Sequence, residues 1–411
     1  MAGAGLAGIA AALECTKQGH DVAMIDAANP LGGRGTSVTE DDWIVDAGPH
    51  FLSSDGKMQE WLKKSSKVVL ATRRVDPRRM QVSRNGVLRT LPLNTSSMPT
   101  YDIDSHTKRH LRGLSRYLGT QLKTLPQLSI DSWLKDKPQA IVDIIECLAV
   151  FTSWIQPRAG ADLSFHLPRI IEALKGKGLH SPLGGWAEVT GRFLAALDVL
   201  EVQTRSSTSV KKLLLDKSGM VRGARLHGNI KVEADGVILA MPLKPCEQVL
   251  EASRLEVELP QAQNLTVTVW DLLLEQKAFN GVHALWDPER KVALFVCSEV
   301  VPERIPEQLR DSHTHLQILS YDGAGPIEEL LDERCAGWGS HITQQRRLEG
   351  LVISQAGEVF EGRPGMYFEQ PLLDRGVAFA GEWMANEHWL AEGAFQSGVI
   401  AAQELHDVIK D

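Results

Sequence analysis

The apolar pattern begins with a glycine-punctuated run that becomes a helix. Gly3, Gly5 and Gly8 lead into Ile9-Ala-Ala-Ala-Leu13, and Asp21 to Asp26 reads as a short strand ending in an acid. Trp43 to Asp46 reads as another short strand, entering a tight turn at Gly48-Pro49-His50, and residues 55–64 read as a short helix. Asn85-Gly86 between two alternating segments predicts a hairpin over 81–90. Residues 107–180 read as mainly helical: Leu111, Leu114, Leu118 and Leu122 recur at helical spacing. The 138–156 segment is strongly apolar and predicts a core helix, the alternative being the lining of a lipid-sized tunnel.

Pro182-Leu-Gly184-Gly185 reads as a turn opening a helix over 187–197. A run of short strands follows, at 199–202, 209–215, 221–226, 231–232 and 235–240. Segments 265–270, 291–296 and 315–319 read as strands of one sheet, and 326–335 as a helix with Pro326 in its first turn. The chain closes with a buried strand ending at Gly381-Glu382 and a helix beginning near Gly393.

A length of 411 residues allows two or three domains with sizeable cores. Net charge of −8 argues against a nucleic-acid partner. The five cysteines are scattered, which fits a reducing compartment and gives neither a disulfide framework nor a metal site. No apolar run approaches the length of a membrane span and there is no signal peptide, so the expected location is cytoplasmic. Membrane association is left open by two stretches, the basic cluster Arg73 to Arg79 and the apolar face of 141–155.

Gly3, Gly5 and Gly8 form G-x-G-x-x-G. Two glycines permit a tight turn and close approach of backbone to a pyrophosphate, and the third permits close helix packing. The helix start at Leu6 and Ala7 then offers free N–H groups to the phosphates. Asp26, about eighteen residues on, is placed to hold a ribose hydroxyl. Only Met1 and Ala2 precede the glycines, so the first strand of such a sheet is either cut short or replaced. Gly32-Gly33-Arg34 suits a backbone that nears a phosphate beside a guanidinium.

Together, Gly3–Gly8, Asp26, Gly32-Gly33-Arg34 and Asp46-x-Gly48-Pro49-His50 resemble the flavin amine oxidase superfamily, which includes amine oxidases, protoporphyrinogen oxidases and phytoene desaturases. The C-terminal Gly381-Glu382 and Gly393-Ala394-Phe395 resemble its second FAD motif. The matching motifs cover about a third of the chain. The resemblance implies an α/β fold: a Rossmann-like FAD-binding domain, with a parallel sheet and a small three-stranded piece, joined to an α+β substrate domain. It implies FAD-domain segments 1–65, 181–243 and 363–411, with 66–180 and 244–362 binding substrate. It places Arg34, Gly381 and Glu382 near the pyrophosphate, Gly48 to His50 near the isoalloxazine, Val210 against the adenine, and the Gly393–Phe395 helix start at flavin N1 and C2=O. Asp26 stands where the family more often has Glu.

No cysteine lies beside the C-terminal motif, so the FAD is expected to be non-covalent. The implied reaction is hydride transfer from a C–N or C–C bond of an amine or hydrophobic small molecule to flavin N5, with no metal. His50 and Trp383 are the candidate catalytic residues, Trp383 as a wall of the substrate space. Two other readings stay open. One is an FAD-dependent, redox-neutral polyene isomerase. The other is a non-enzymatic prenyl-binding carrier resembling the Rab GDP-dissociation inhibitors.

Overall fold

In the computed structural model, residues 1–48, 51–65, 69–124, 128–154, 162–261, 264–321, 325–355, 369–384 and 386–410 are described. One layer is a parallel sheet. Its strands Ala23–Ile25 and Gln203–Arg205 pair in parallel, as do Val237–Leu239 and Val377–Phe379. Ala2 joins these two pairs: it bridges in parallel to both Ile25 and Leu239. Its amide donates to Ile238 O at 2.9 Å, and the next amide, Gly3 N, donates to Ile25 O at 2.8 Å. The central slot is therefore filled by the residues immediately before the glycine motif.

Two helices cover this sheet. Leu6–Lys17 is buried along most of its length because its residues are small: Ala7, Ala10, Ala11 and Ala12 let neighbours approach. The C-terminal helix Leu390–Lys410 lies directly against it. A Cβ at Gly398 would sit 2.0 Å from Ala7 O, so backbone meets backbone at this crossing. A Cβ at Gly8 would sit 1.9 Å from Gly3 O, which fixes the helix over the strand it follows.

A small antiparallel sheet follows, ordered Lys231–Glu233, Val221–Leu226, Val210–Leu215. The expected strand at 199–202 is not one. The Gly185–Val199 helix runs into it, and the strand begins at Gln203, because Glu201 takes a positive φ of 57° and turns the chain.

The second layer is a seven-stranded sheet. Its order is Ile342–Ser354, Leu265–Leu274, Thr314–Tyr321, Val292–Val296, Ala284–Asp287, Met80–Arg84, Val87–Thr90. The last two strands form the hairpin expected at Asn85-Gly86, whose φ values of 49° and 69° are those a tight hairpin turn demands. Helices Ser105–Arg112, Leu114–Thr124, Gln139–Ser153 and Leu163–Leu174 pack beside it. The leucine ladder from 111 to 122 is thus two helices, broken at Gly113. Gln139–Ser153 is a core helix: Ile141, Ile144, Ile145, Leu148 and Phe151 are all buried. Pro326 caps the Ile327–Arg334 helix from just outside its first turn. Among the described residues no helix is long and apolar enough to cross a membrane.

Candidate functional site

A cleft of about 800 Å³ opens where the two layers meet. At its floor the chain turns through Gly3, with φ of +107°, and enters the helix at Leu6. Gly5 caps that helix without a side-chain hydrogen bond. The first helical bond runs from Ile9 N to Gly5 O, so the amides of Leu6, Ala7 and Gly8 lie ahead of the ladder. No atom lies within 4 Å of where a Cβ of Gly5 would be, so that backbone faces open space. Gly32 packs alongside, its amide donating to Ala4 O at 2.9 Å. Gly32 and Gly33 have φ of +122° and +59°, conformations that favour glycine.

Asp26 stands at the cleft edge, with each carboxylate oxygen accepting one backbone amide: Ala4 N at 2.5 Å and Ala28 N at 2.7 Å. A carboxylate oxygen accepts twice, so both retain capacity for a hydroxyl. Val210, Ser209, Lys211 and His227 line the same end.

Opposite Gly33 lies a four-part contact. Arg34 pairs with Glu382 at 3.0 Å and donates to Ile353 O at 3.1 Å. Glu382, itself buried, also accepts from Ser354 Oγ at 2.9 Å and from the Gln355 amide. The Glu382 carboxylate is thus paired with Arg34 and hydrogen-bonded by Ser354 and Gln355. The long strand that supplies Ile353 and Ser354 and leads into Gln355 was not foreseen, because its polar alternation (Thr343, Gln345, Arg347, Glu349) resembles a solvated segment.

The far end is apolar. Trp154, Trp186, Leu319, Val352 and Leu390 line it. Trp154 and Leu390 both take left-handed φ, 51° and 50°. Trp154 takes it as the C-cap that ends the Gln139–Ser153 helix. Phe51 packs at a tilt against Trp154 and edge-on to Phe295 behind this wall. Neither Trp154 nor Leu390 carries a motif, which is why sequence reasoning passed over them.

Gly48 lines the cleft with φ of +114°, while Pro49 and His50 lie outside the described residues. The turn is anchored by Asp46. Its Oδ1 accepts from Ser37 Oγ at 2.6 Å and from Trp186 N at 2.8 Å, and its Oδ2 pairs with the fully buried Arg304 at 2.8 Å. Its carbonyl accepts from Arg346, which also grips Asp271 at 2.6 Å. Burial pushes the Asp271 carboxyl up to about 6 despite that guanidinium.

Of the residues expected at a cofactor, Gly3, Gly5, Leu6, Ala7, Asp26, Gly32, Gly33, Arg34, Gly48, Val210, Gly381, Glu382 and Ala394 all line this one cleft, with Trp383 beside them. Gly8 is a packing glycine beneath it. Gly393 and Phe395 depart from expectation. The C-terminal helix starts at Leu390, and the Gly393 amide already donates to Trp389 O at 3.1 Å. The amides ahead of that ladder are those of Leu390, Ala391 and Glu392, and Leu390 and Ala391 are the ones on the cleft. Phe395 is core, packed at a tilt against Phe193. Trp383 is fixed by packing on Phe379 and a hydrogen bond to Met241 O at 3.3 Å. Its ring lies near the Met241–Pro242 edge of the cleft. Trp389 is tied to Ser153 O instead.

Against known proteins, residues 2–65 match the family model described as an NAD(P)-binding Rossmann-like domain. No curated protein matches the sequence. Solved structures match over almost the whole chain. An oxidoreductase from Methanosarcina mazei aligns with TM-score 0.71 at 16% identity, covering 98% of each chain. Cyclohexylamine oxidase from Brevibacterium oxydans aligns with 0.67 at 17%, covering 100% of this chain and 98% of its own. A putative protoporphyrinogen oxidase from Exiguobacterium aligns with 0.63 at 14%, covering 99% and 97%. The fold implied by the resemblance to the flavin amine oxidase superfamily is the fold of this chain.

Proposed function

We propose that this chain is an FAD-dependent oxidoreductase of the amine oxidase type, taking a hydride from a C–N or C–C bond of an amine or hydrophobic small molecule. The observation that carries the reading is the convergence of two helix starts, at Leu6 and Leu390, on one cleft whose floor is glycine backbone. The residues fit a flavin dinucleotide. Gly5 leaves room for a pyrophosphate, which the Leu6 and Ala7 amides would hold, and Asp26 keeps acceptors for a ribose. The neighbouring structures named as amine oxidase and protoporphyrinogen oxidase support the same class at the level of fold.

Bound FAD would supply the hydride acceptor and the route for electrons onward. The chain's own part is positioning. Leu390 and Ala391 aim peptide dipoles at the site and favour negative charge there. Trp154, Leu319 and Val352 exclude water and align an apolar substrate face. The Asp46 network holds Gly48 between the layers.

The test is the visible spectrum of the purified protein reconstituted with FAD, followed by anaerobic addition of a panel of amines and unsaturated or cyclic hydrophobic compounds. Flavin bands that bleach with one compound class support the reading and name the class. A flavin-loaded protein that interconverts polyene isomers without net bleaching contradicts hydride transfer to an external acceptor. A folded protein that takes up no flavin contradicts the cofactor.

A further inference from the structure

Both stretches that the sequence offered for membrane contact are occupied. The 139–153 helix is interior, Arg73 pairs with Glu303, and Arg78 closes on Asp76 at 2.7 Å. A different surface has the required character. From Ser105 to Thr124 the chain carries five Lys and Arg and no Asp or Glu, while the remaining 39 Lys and Arg face 52 Asp and Glu. The five cations are Lys108, Arg109, Arg112, Arg116 and Lys123, and all are exposed.

Helical geometry gathers them. Positions 105, 108, 109 and 112 share one face of the first helix, opposite the buried Thr107 and Leu111. Positions 116, 120, 123 and 124 share one face of the second, opposite the buried Leu114 and Leu118. Gly113 joins the two. Several arginines elsewhere are paired, Arg84 with Asp143, Arg192 with Glu188, Arg222 with Asp216 and Arg290 with Glu333. Among the described residues none of these five makes an ion pair. Asp104, at the start of the segment, is engaged as the N-cap, accepting from Thr107 N at 2.6 Å. A basic face without internal partners is held at the surface of an otherwise acidic molecule.

We propose that the outward face of residues 105–124 docks on the surface of an anionic lipid bilayer. Charge complementarity selects the partner. Ionic screening limits the interaction to about 8 Å in physiological salt, so a surface meeting this face senses its five cations, with Asp104 at one edge, and little of the more distant acidic remainder. Each cation near an anionic leaflet is worth roughly a fivefold gain in partitioning, with no fixed geometry required. Single-stranded nucleic acid is held by aromatic groups that stack on its bases as well as by cations. Here the segment's one aromatic, Tyr117, is stacked on His110. This surface is separate from the cleft, so the proposal stands whatever the cleft binds.

The test is co-sedimentation of the full chain with vesicles of phosphatidylcholine, with and without 30% phosphatidylserine, at 50 and 300 mM salt. Binding is expected only to the anionic vesicles, falling at least tenfold at the higher salt. The triple variant K108E/R109E/R112E should lose binding more than tenfold and keep its fold, with a small fall in melting temperature because Arg109 and Arg112 stand in the last turn of their helix. K217E/K231E/R254E, which alters net charge equally on another surface, should bind as the parent does. No binding to anionic vesicles, equal losses in the two variants, or binding to duplex DNA in preference to vesicles would each overturn the proposal.

Discussion

Glu392 sits in the first turn of the helix that faces the cleft, yet its carboxyl points away, accepting from Met58 N at 3.2 Å. Burial pushes its pKa up to about 7. The folded state therefore keeps this proton through a range where the unfolded chain, near 4.5, has released it. Stability contributed by the protonated form is full below about 4.5 and is lost as pH rises to about 7, by up to roughly 3 kcal/mol. Denaturation curves at pH 5 and pH 8 should show this loss, and E392Q should flatten it. An unchanged slope in E392Q would assign the effect elsewhere. Arg304 offers a second case at this scale. Among the described residues it is the only cation paired with the Asp46 carboxylate, and both are buried. R304M should cost about 3–5 kcal/mol by leaving Asp46 charged and unpaired. It should also weaken flavin affinity, because Asp46 leads directly into Gly48. Urea denaturation and a flavin titration read the two effects separately.

Among elements, the two helices that meet at Gly398 are the joint on which the cleft depends. Their starts point to one place because small residues let their backbones touch. A valine at position 398 would drive its Cβ into Ala7 O, 2.0 Å away, and force the helices apart. G398V should destabilise by about 1–3 kcal/mol or more and lower flavin affinity at least tenfold, while G191A, with open space around it, should change neither much. Circular dichroism melts and flavin fluorescence titrations of both variants check this.

Legibility in the sequence also divides by element. The glycine motif, the Asn85-Gly86 hairpin and the 139–153 core helix were readable because each is fixed by local chemistry. The start of the C-terminal helix was read three residues late, since Gly393 resembles a helix opening and Leu390, with its left-handed φ, resembles nothing. The Ile342–Ser354 strand escaped notice because its polar side chains pair with distant partners: Arg346 needs Asp46 and Asp271 to be understood. The apolar wall of Trp154, Leu319 and Val352 is assembled from three separate elements, and no spacing rule connects them.

At the scale of the whole molecule, the two layers enclose the cleft and each supplies part of it. The parallel layer gives glycine backbone and helix starts. The seven-stranded layer gives Leu319, Val352, Ile353 and Gln355, with Arg304 and Arg346 bound across the seam to Asp46. A ligand that spans both should stabilise them together: saturating FAD at a hundred times its dissociation constant should add about 2.7 kcal/mol to unfolding. The most direct measurement is therefore an equilibrium titration of the purified chain with FAD, followed by flavin fluorescence and repeated with G398V. One flavin bound per chain, with affinity that collapses when the two helices are forced apart, is the expected result. A folded chain that binds no FAD, or binds it equally well in both forms, contradicts the convergence of the two helix starts on a single dinucleotide.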